Sequence, residues 1–287
     1  MMNPQFNFNL TSNPVDNNSV GMFESAITLM KCRECNTFFN AVHSELVDHC
    51  FYCNSKDVYS AGVVNSFKDY SIIPFEKDIS FAMKEYKKKV VSNPAIPKIF
   101  KKQETIQTMS KLFIPCKLYQ VRSSGSIVFS GKNYSINKDY QNIVIPAYTN
   151  LENSFSVIHD YDVSKLTSFT NDYLKDCVYI EANMEQEVLN QKVQEEIMNR
   201  TVLDIHKEVK APVNKMDTTN LGVTITNEKN ILVPIYLLNV KYDDQSYLYV
   251  MNGCSGKSSF KPPIEKKKIS KIILLIAIVI ILLVIFL

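Results

Sequence analysis

Leu112-Phe113-Ile114-Pro115-Cys116-Lys117-Leu118-Tyr119-Gln120-Val121 and Ile231-Leu232-Val233-Pro234-Ile235-Tyr236-Leu237-Leu238-Asn239-Val240 are the two stretches on which the reading of this fold turns. Apolar and β-branched residues dominate both, the composition of half-buried strands. Ile114, Pro115, Leu118 and Val121 recur as Val233, Pro234, Leu237 and Val240 at a constant offset of 119 residues, which points to paired sheet elements. Each stretch is expected to open a β-hairpin, Leu112 to Phe129 and Ile231 to Val250. The turns fall at Arg122 to Gly125 and Asp243 to Ser246, before a return rich in Tyr, Val or Phe.

Around these strands the pattern alternates. Tyr70 to Pro74 reads as a short strand. Asp78 to Val91 reads as an amphipathic helix carrying Phe81, Met83, Tyr86 and Val90, broken by Asn93-Pro94 and Ile96-Pro97. Ile143 to Pro146 adds a strand. Asn183 to Val209 is a long helix with Met184, Val188, Val193, Ile197, Val202 and Ile205 near one face, and Ala211 to Asn220 a polar linker. The expected fold class is α+β: an N-terminal zinc ribbon, an antiparallel β-rich domain with amphipathic helices, and a single C-terminal transmembrane helix.

The strongest chemical signal is Cys32-x-x-Cys35 with Cys50-x-x-Cys53, fourteen residues apart. Two thiolates two residues apart grip one side of a tetrahedral ion, and the intervening loop lets the second pair close the site. Asn36 and Asn54 follow the pairs, where the turns need a residue tolerant of positive φ. Four protein ligands leave no position for water, so the expected cofactor is a structural Zn2+ rather than a catalytic one. His43 and His49 lie nearby and are expected on the surface or around the metal, not on it. Lys31 to Asp57 holds three basic and four acidic residues, the wrong sign for phosphate.

The chain closes on Ile272 to Leu287, sixteen apolar residues behind Lys261, Lys266, Lys267, Lys268 and Lys271. As a helix this run spans roughly 24 Å against a ~30 Å hydrocarbon core, a gap closed if Ile269 to Lys271 join the helix. It is expected to be a tail anchor, with the lysines holding everything before it in the cytoplasm. Met1 to Ser19 is Asn-rich and polar, unlike a secretory signal. The expected organisation is therefore a disordered segment 1–28, a ribbon 29–60, an α+β cytoplasmic domain 61–260, a basic juxtamembrane linker 261–271 and the anchor 272–287.

Net charge is +3, and the tail from Lys261 carries five lysines and one glutamate, so the body is about −1. A near-neutral body argues against a dedicated nucleic-acid binder. Lys84 to Lys102 is a basic patch outside the tail, with seven lysines and one acidic residue, Glu85. Seven cysteines, an odd number with Cys116, Cys177 and Cys254 scattered, suit reduced thiols better than a disulfide framework.

No catalytic constellation emerges. There is no HExxH among four histidines and no G-x-G-x-x-G after a strand. Gly253-Cys254-Ser255-Gly256-Lys257-Ser258 echoes the end of a Walker A loop, but Met251 stands where its first glycine is required and Pro262-Pro263 follows instead of a helix. His159, Asp160 and Asp162, and Ser164 with Lys165, form polar clusters in which nothing sets a base against a nucleophile.

The order of these motifs resembles that of bacterial membrane proteins described as TFIIB-type zinc-ribbon-containing, over about Met30 to Lys271. The resemblance is carried by the ribbon, Pro74-Phe75, Pro97-Lys98-Ile99-Phe100, Ile114-Pro115, Ser130-Gly131-Lys132-Asn133-Tyr134, Tyr161 to Leu166 with Tyr173-Leu174, Leu232 to Leu238, and Val250 to Lys257. The chain departs from the family in lacking Pro and Gly beside the ribbon cysteines, and in having Cys116 where an aromatic is more usual. The resemblance implies a largely uncharacterised family, some of whose members look like membrane anchors recruiting stress proteins of the phage-shock-protein-A type. The expected function is a non-enzymatic, cytoplasm-facing, tail-anchored scaffold or recruiter of protein partners, touching the lipid bilayer through its C-terminal helix. The alternative is a membrane-tethered nucleic-acid binder using the ribbon and the lysine patch; no small-molecule substrate is evident.

Overall fold

In the computed structural model, the described residues are 27–42, 44–64, 70–129, 131–149, 151, 157, 161–209, 216–265, 270, 280, 281, 283 and 284. Among the described residues, eleven strands form one sheet: β1 (Ile27–Cys32), β2 (Phe38–Ala41), β3 (Val58–Val64), β4 (Tyr70–Ile72), β5 (Ser110–Phe129), β6 (Lys132–Pro146), β7 (Thr167–Ser168), β8 (Val178–Ile180), β9 (Met216–Tyr242), β10 (Gln245–Asn252) and β11 (Ser258–Ser259). Three α-helices accompany them among the described residues: α1 (Ile79–Val91), α2 (Gln103–Gln107) and α3 (Gln186–Val209).

The two similar stretches are neighbours. β5 and β9 run antiparallel with Ile114 opposite Val233, and the ladder continues from Ser110↔Leu237 to Phe129↔Met216. The hairpin expected inside Leu112 to Phe129 does not form, because β5 passes through Arg122 to Gly125 without turning. A two-residue hairpin reversal needs positive φ at the first central position or at both. Asp243 and Asp244 supply it, at 53° and 55°, and turn β9 into β10 as the sequence leads one to expect. In Arg122 to Gly125 only Gly125 has positive φ, and it lies against the Asn220 carbonyl on β9. The chain reverses later, at Gly131, so that β6 pairs along the other edge of β5. The second half of the expected linker Ala211 to Asn220 is likewise strand, since β9 begins at Met216.

The expected antiparallel sheet is corrected to a mixed one: β4 with β9, and β5 with β8, run parallel. Both parallel neighbours are three-residue strands, too short to show a period in sequence. The rest of the path, β11-β10-β9-β5-β8-β2-β1-β3, leads from the last hairpin directly into the strands that carry the cysteines.

Helices cover this sheet where its faces are apolar. Asp78 caps α1 by accepting from the Phe81 amide (2.7 Å), and Ala82, Tyr86 and Val90 face inward. There Tyr86 meets Tyr249 and Phe260 at 5.1 and 5.4 Å between ring centroids. α3 lies along β5, β6 and β9, burying Leu189, Val193 and Ile197 against Tyr119, Val121 and Tyr140. Farther along it buries Val202 and Ile205 against Ile127 and Ile136.

The expected tail anchor is corrected as well. Among the described residues, no helix is long and apolar enough to cross a membrane. Four residues of Ile272 to Leu287 are described, Ile280, Ile281, Leu283 and Val284, and the remainder of that expectation lies outside the described residues. It depended on Ile269 to Lys271 lengthening a run that is short of a ~30 Å core. With the anchor go the bilayer as a partner, the single-pass membrane localisation with a cytoplasmic N-terminal domain, and the membrane element of the fold class. The segment expected to lead into the anchor instead begins by binding the body: the Glu265 amide donates to the Ala95 carbonyl (3.0 Å).

Candidate metal centre

Two tight turns build the site. The Cys32 amide donates to the Thr37 carbonyl (3.1 Å) across one turn, and the Cys50 amide to the Ser55 carbonyl (2.7 Å) across the other. Each turn closes through a left-handed residue, Asn36 at φ 56° and Asn54 at φ 61°. These are the two asparagines whose side chains tolerate that conformation. β1 and β2 present the first turn, and β3 ties it to the second, the Arg33 amide donating to the Asp57 carbonyl (3.0 Å).

The turns bring Cys32, Cys35, Cys50 and Cys53 together, with all four Sγ atoms within 4.8 Å of one another. Cys32 Sγ is 3.6 Å from Cys53 Sγ, and Cys35 Sγ is 3.7 Å from Cys50 Sγ. A tetrahedron with bonds of ~2.3 Å, the zinc–thiolate length, has edges of about 3.8 Å. A disulfide requires about 2.05 Å, and all seven cysteines are free. These four side chains can therefore hold a metal ion.

Hydrogen bonding from Cys50 holds the Cys35 thiol down at about 4. The same contact raises Cys50 above its usual range, and burial lifts Cys53 to about 11. His49 is turned away from the cluster, its Nδ1 on the Asp48 carboxylate and its ring 5.3 Å from Phe51. His43 lies outside the described residues, as do His159 and Asp160.

Residues that the spacing does not reveal support the cysteines. Cys35 Sγ lies 3.2 Å from the Thr37 hydroxyl, which in turn shares a hydrogen bond with Tyr148 Oη (2.8 Å). Tyr148 packs edge-on against Tyr52 at 6.0 Å, and Asn239 on β9 donates to the Tyr52 carbonyl (3.1 Å). Cys32, Cys50 and Cys53 share one apolar cluster with Ile114, Tyr148, Ile180, Ile235 and Leu237. A Thr just after a Cys pair is a weak local cue. Tyr148 and Asn239 are linked to the ribbon by the fold alone.

The Walker-like hexapeptide proves to be a third turn of the same build. The Asn252 amide donates to the Lys257 carbonyl (2.9 Å) and the Gly256 amide to the Asn252 carbonyl (3.0 Å). Cys50 and Ser55, and Asn54 and Cys50, make the same two bonds in the ribbon. Gly256, at φ 75°, holds the place of Asn54. Where the Tyr52 and Cys53 amides point at the Cys50 thiol, the Cys254 and Ser255 amides donate to Asn252 Oδ1 at 2.8 and 2.9 Å. A side-chain amide thus takes the thiolate's place, and the turn needs no metal. Of the polar cluster near it, Ser164 Oγ donates to Asp162 (2.6 Å) and Lys165 pairs with Glu76 (2.7 Å), so both are occupied structurally.

Comparison with known proteins adds little to this geometry. No family model matches the chain, and no solved structure matches it. The chain is similar to the uncharacterized protein YdjG of Bacillus subtilis (strain 168), 22% identical over 222 residues. That match covers 69% of this chain and 65% of the Bacillus protein, just under two thirds of its length.

Proposed function

We propose that the four thiolates hold one structural zinc ion and that the protein is a non-enzymatic scaffold or recruiter of protein partners. The observation that carries this reading is the closed set of four sulfurs, all within 4.8 Å of one another, with two pairs at 3.6 and 3.7 Å. A filled shell has no position at which water or substrate can be activated, so the metal's contribution is folding energy. That energy fastens β1–β3 to the main sheet and holds a rigid platform. The resemblance to zinc-ribbon proteins supports the same role.

Metal analysis of the full chain tests it, together with affinity capture using wild type and Cys50→Ser. The expected result is one zinc per chain, and a partner whose capture falls when Cys50→Ser loosens the ribbon. Zinc near zero under metal-replete conditions refutes the metal assignment, and repeated failure to capture any protein refutes the recruiting role.

One observation favours a second reading, nucleic-acid binding. Lys84, Lys87, Lys88 and Lys89 are exposed on α1 beside Lys98 and Lys102 on the following turns, with Lys88 paired to Glu85. A binding constant for DNA or RNA that falls steeply with salt, and collapses when these lysines are reversed in charge, selects it.

A further inference from the structure

The seven cysteines are not equally open to oxidation. Cys116, Cys177 and Cys254 are buried, and burial holds the Cys116 thiol well above its ordinary range and lifts Cys177 and Cys254 to about 12. All three are therefore protonated and out of reach, the condition in which a thiol is inert. Within the cluster Cys32, Cys50 and Cys53 are buried as well, whereas Cys35, on the turn between β1 and β2, is only half-buried. A sulfur that ligates a metal is held as thiolate, so protonation does not shield it, and Cys35 is the one that a small oxidant in solution meets first. The two close sulfur contacts both cross between turns: Cys35 Sγ is 3.7 Å from Cys50 Sγ, and Cys32 Sγ is 3.6 Å from Cys53 Sγ.

Resting on the zinc assignment, we propose that Cys35 and Cys50 form a redox-sensitive site: a hydroperoxide oxidises Cys35, Cys50 resolves it as a disulfide joining the two turns, and the zinc ion is released. In the first step the Cys35 sulfur attacks one oxygen of hydrogen peroxide; an S–O bond forms, the O–O bond breaks, and the other oxygen leaves as hydroxide and takes up a proton to become water. The sulfenic acid so formed is no longer a thiolate ligand. The Cys50 thiolate then attacks the Cys35 sulfur; an S–S bond forms, the S–O bond breaks, and the oxygen leaves as a second water once protonated. Two thiolates have given two electrons to one peroxide. The sulfurs close from 3.7 Å to the disulfide length of about 2.05 Å, a short movement between turns already side by side. Zinc is left with Cys32 and Cys53, half of the tetrahedral set it needs, and leaves. Because the bridge runs from one turn to the other, it replaces the ion as the tie between them, and reduction returns a ribbon placed to reload.

Titrating the zinc-loaded full chain with hydrogen peroxide tests this, with a chromogenic chelator reading the released ion and peptide mass mapping reading the disulfides. Zinc should leave in step with a Cys35–Cys50 bridge while Cys116, Cys177 and Cys254 remain thiols, and dithiothreitol with added zinc should restore the starting content. Release accompanied instead by Cys32–Cys35 or Cys50–Cys53 bridges, or by oxidation of the three buried thiols, overturns the proposal. So does a chain that keeps its zinc through excess peroxide, or one that stays empty after reduction; in both, the starting zinc content leaves the metal assignment standing. A chain that holds no zinc before peroxide is added overturns both.

Discussion

Asn252→Ala tests whether the third turn is held by a side chain standing where a thiolate stands in the ribbon. Asn252 is fully buried and makes three side-chain hydrogen bonds: it accepts from the Cys254 and Ser255 amides and donates to the Val157 carbonyl (3.1 Å). Alanine orphans all three partners. A buried polar group left unsatisfied costs about 1–3 kcal/mol, and Ser255 is exposed, so water restores most of its share; the total is about 3–5 kcal/mol. That is a large fraction of the ~5–15 kcal/mol that holds a domain folded. At about 2–4 °C per kcal/mol for a chain of this size, the melting temperature should fall by roughly 6–20 °C. Urea titration and thermal melting by circular dichroism measure it, with Ser255→Ala as the comparison. Ser255 occupies the position of a second ligand, yet its hydroxyl accepts a single 3.3 Å contact from the Lys257 amide, so its loss should cost under about 1 kcal/mol. Zinc content should be unchanged in both. If Asn252→Ala lies within about 1 kcal/mol of wild type, or Ser255→Ala costs as much, the equivalence of the turns is wrong.

Further outcomes follow from other parts of the molecule. Cys50 and Cys53 are pushed above the ordinary thiol range, and metal capture must expel their protons. Apparent zinc affinity should therefore rise with pH through the neutral range, by at least about tenfold per unit, as read by chelator competition; a flat profile refutes the ligand set. Gly125→Ala should destabilise by about 1–3 kcal/mol in urea, because φ is 139° there and the added methyl meets the Asn220 carbonyl. Ile197→Ala, at a fully buried site under α3, should cost about 2–5 kcal/mol and speed hydrogen exchange in α3 and β6. Zinc content should stay at the wild-type level in that variant.

Some of this molecule was legible because its causes are local. The helix over Asp78 to Val91 begins at its Asp78 cap, and the long helix expected over Asn183 to Val209 runs Gln186–Val209 with Val193, Ile197, Val202 and Ile205 inward. The Cys-x-x-Cys spacing and the asparagines after each pair describe two turns that the structure closes through positive φ. The apolar run at the C-terminus reads as an anchor in sequence, yet no helix among the described residues is long and apolar enough to cross a membrane.

The rest depends on partners distant in the chain. Arg122 to Gly125 reads as a turn in isolation, and becomes mid-strand because β9, about a hundred residues on, offers a ladder along its whole length. The parallel strands β4 and β8 are three residues long and owe their state to the edges of β9 and β5. Gly253 to Ser258 only echoes a phosphate loop in sequence, where Met251 and Pro262-Pro263 already speak against one, and the Asn252 side chain that holds its amides is seen in the structure alone. By itself the sequence determined which turns could grip a metal and where the long helices lie, since capping, spacing and backbone preference act within a few residues. The tertiary structure alone decided which strands are neighbours and that the ribbon closes onto Tyr148 and Asn239, since those outcomes follow from pairings between residues far apart in the chain.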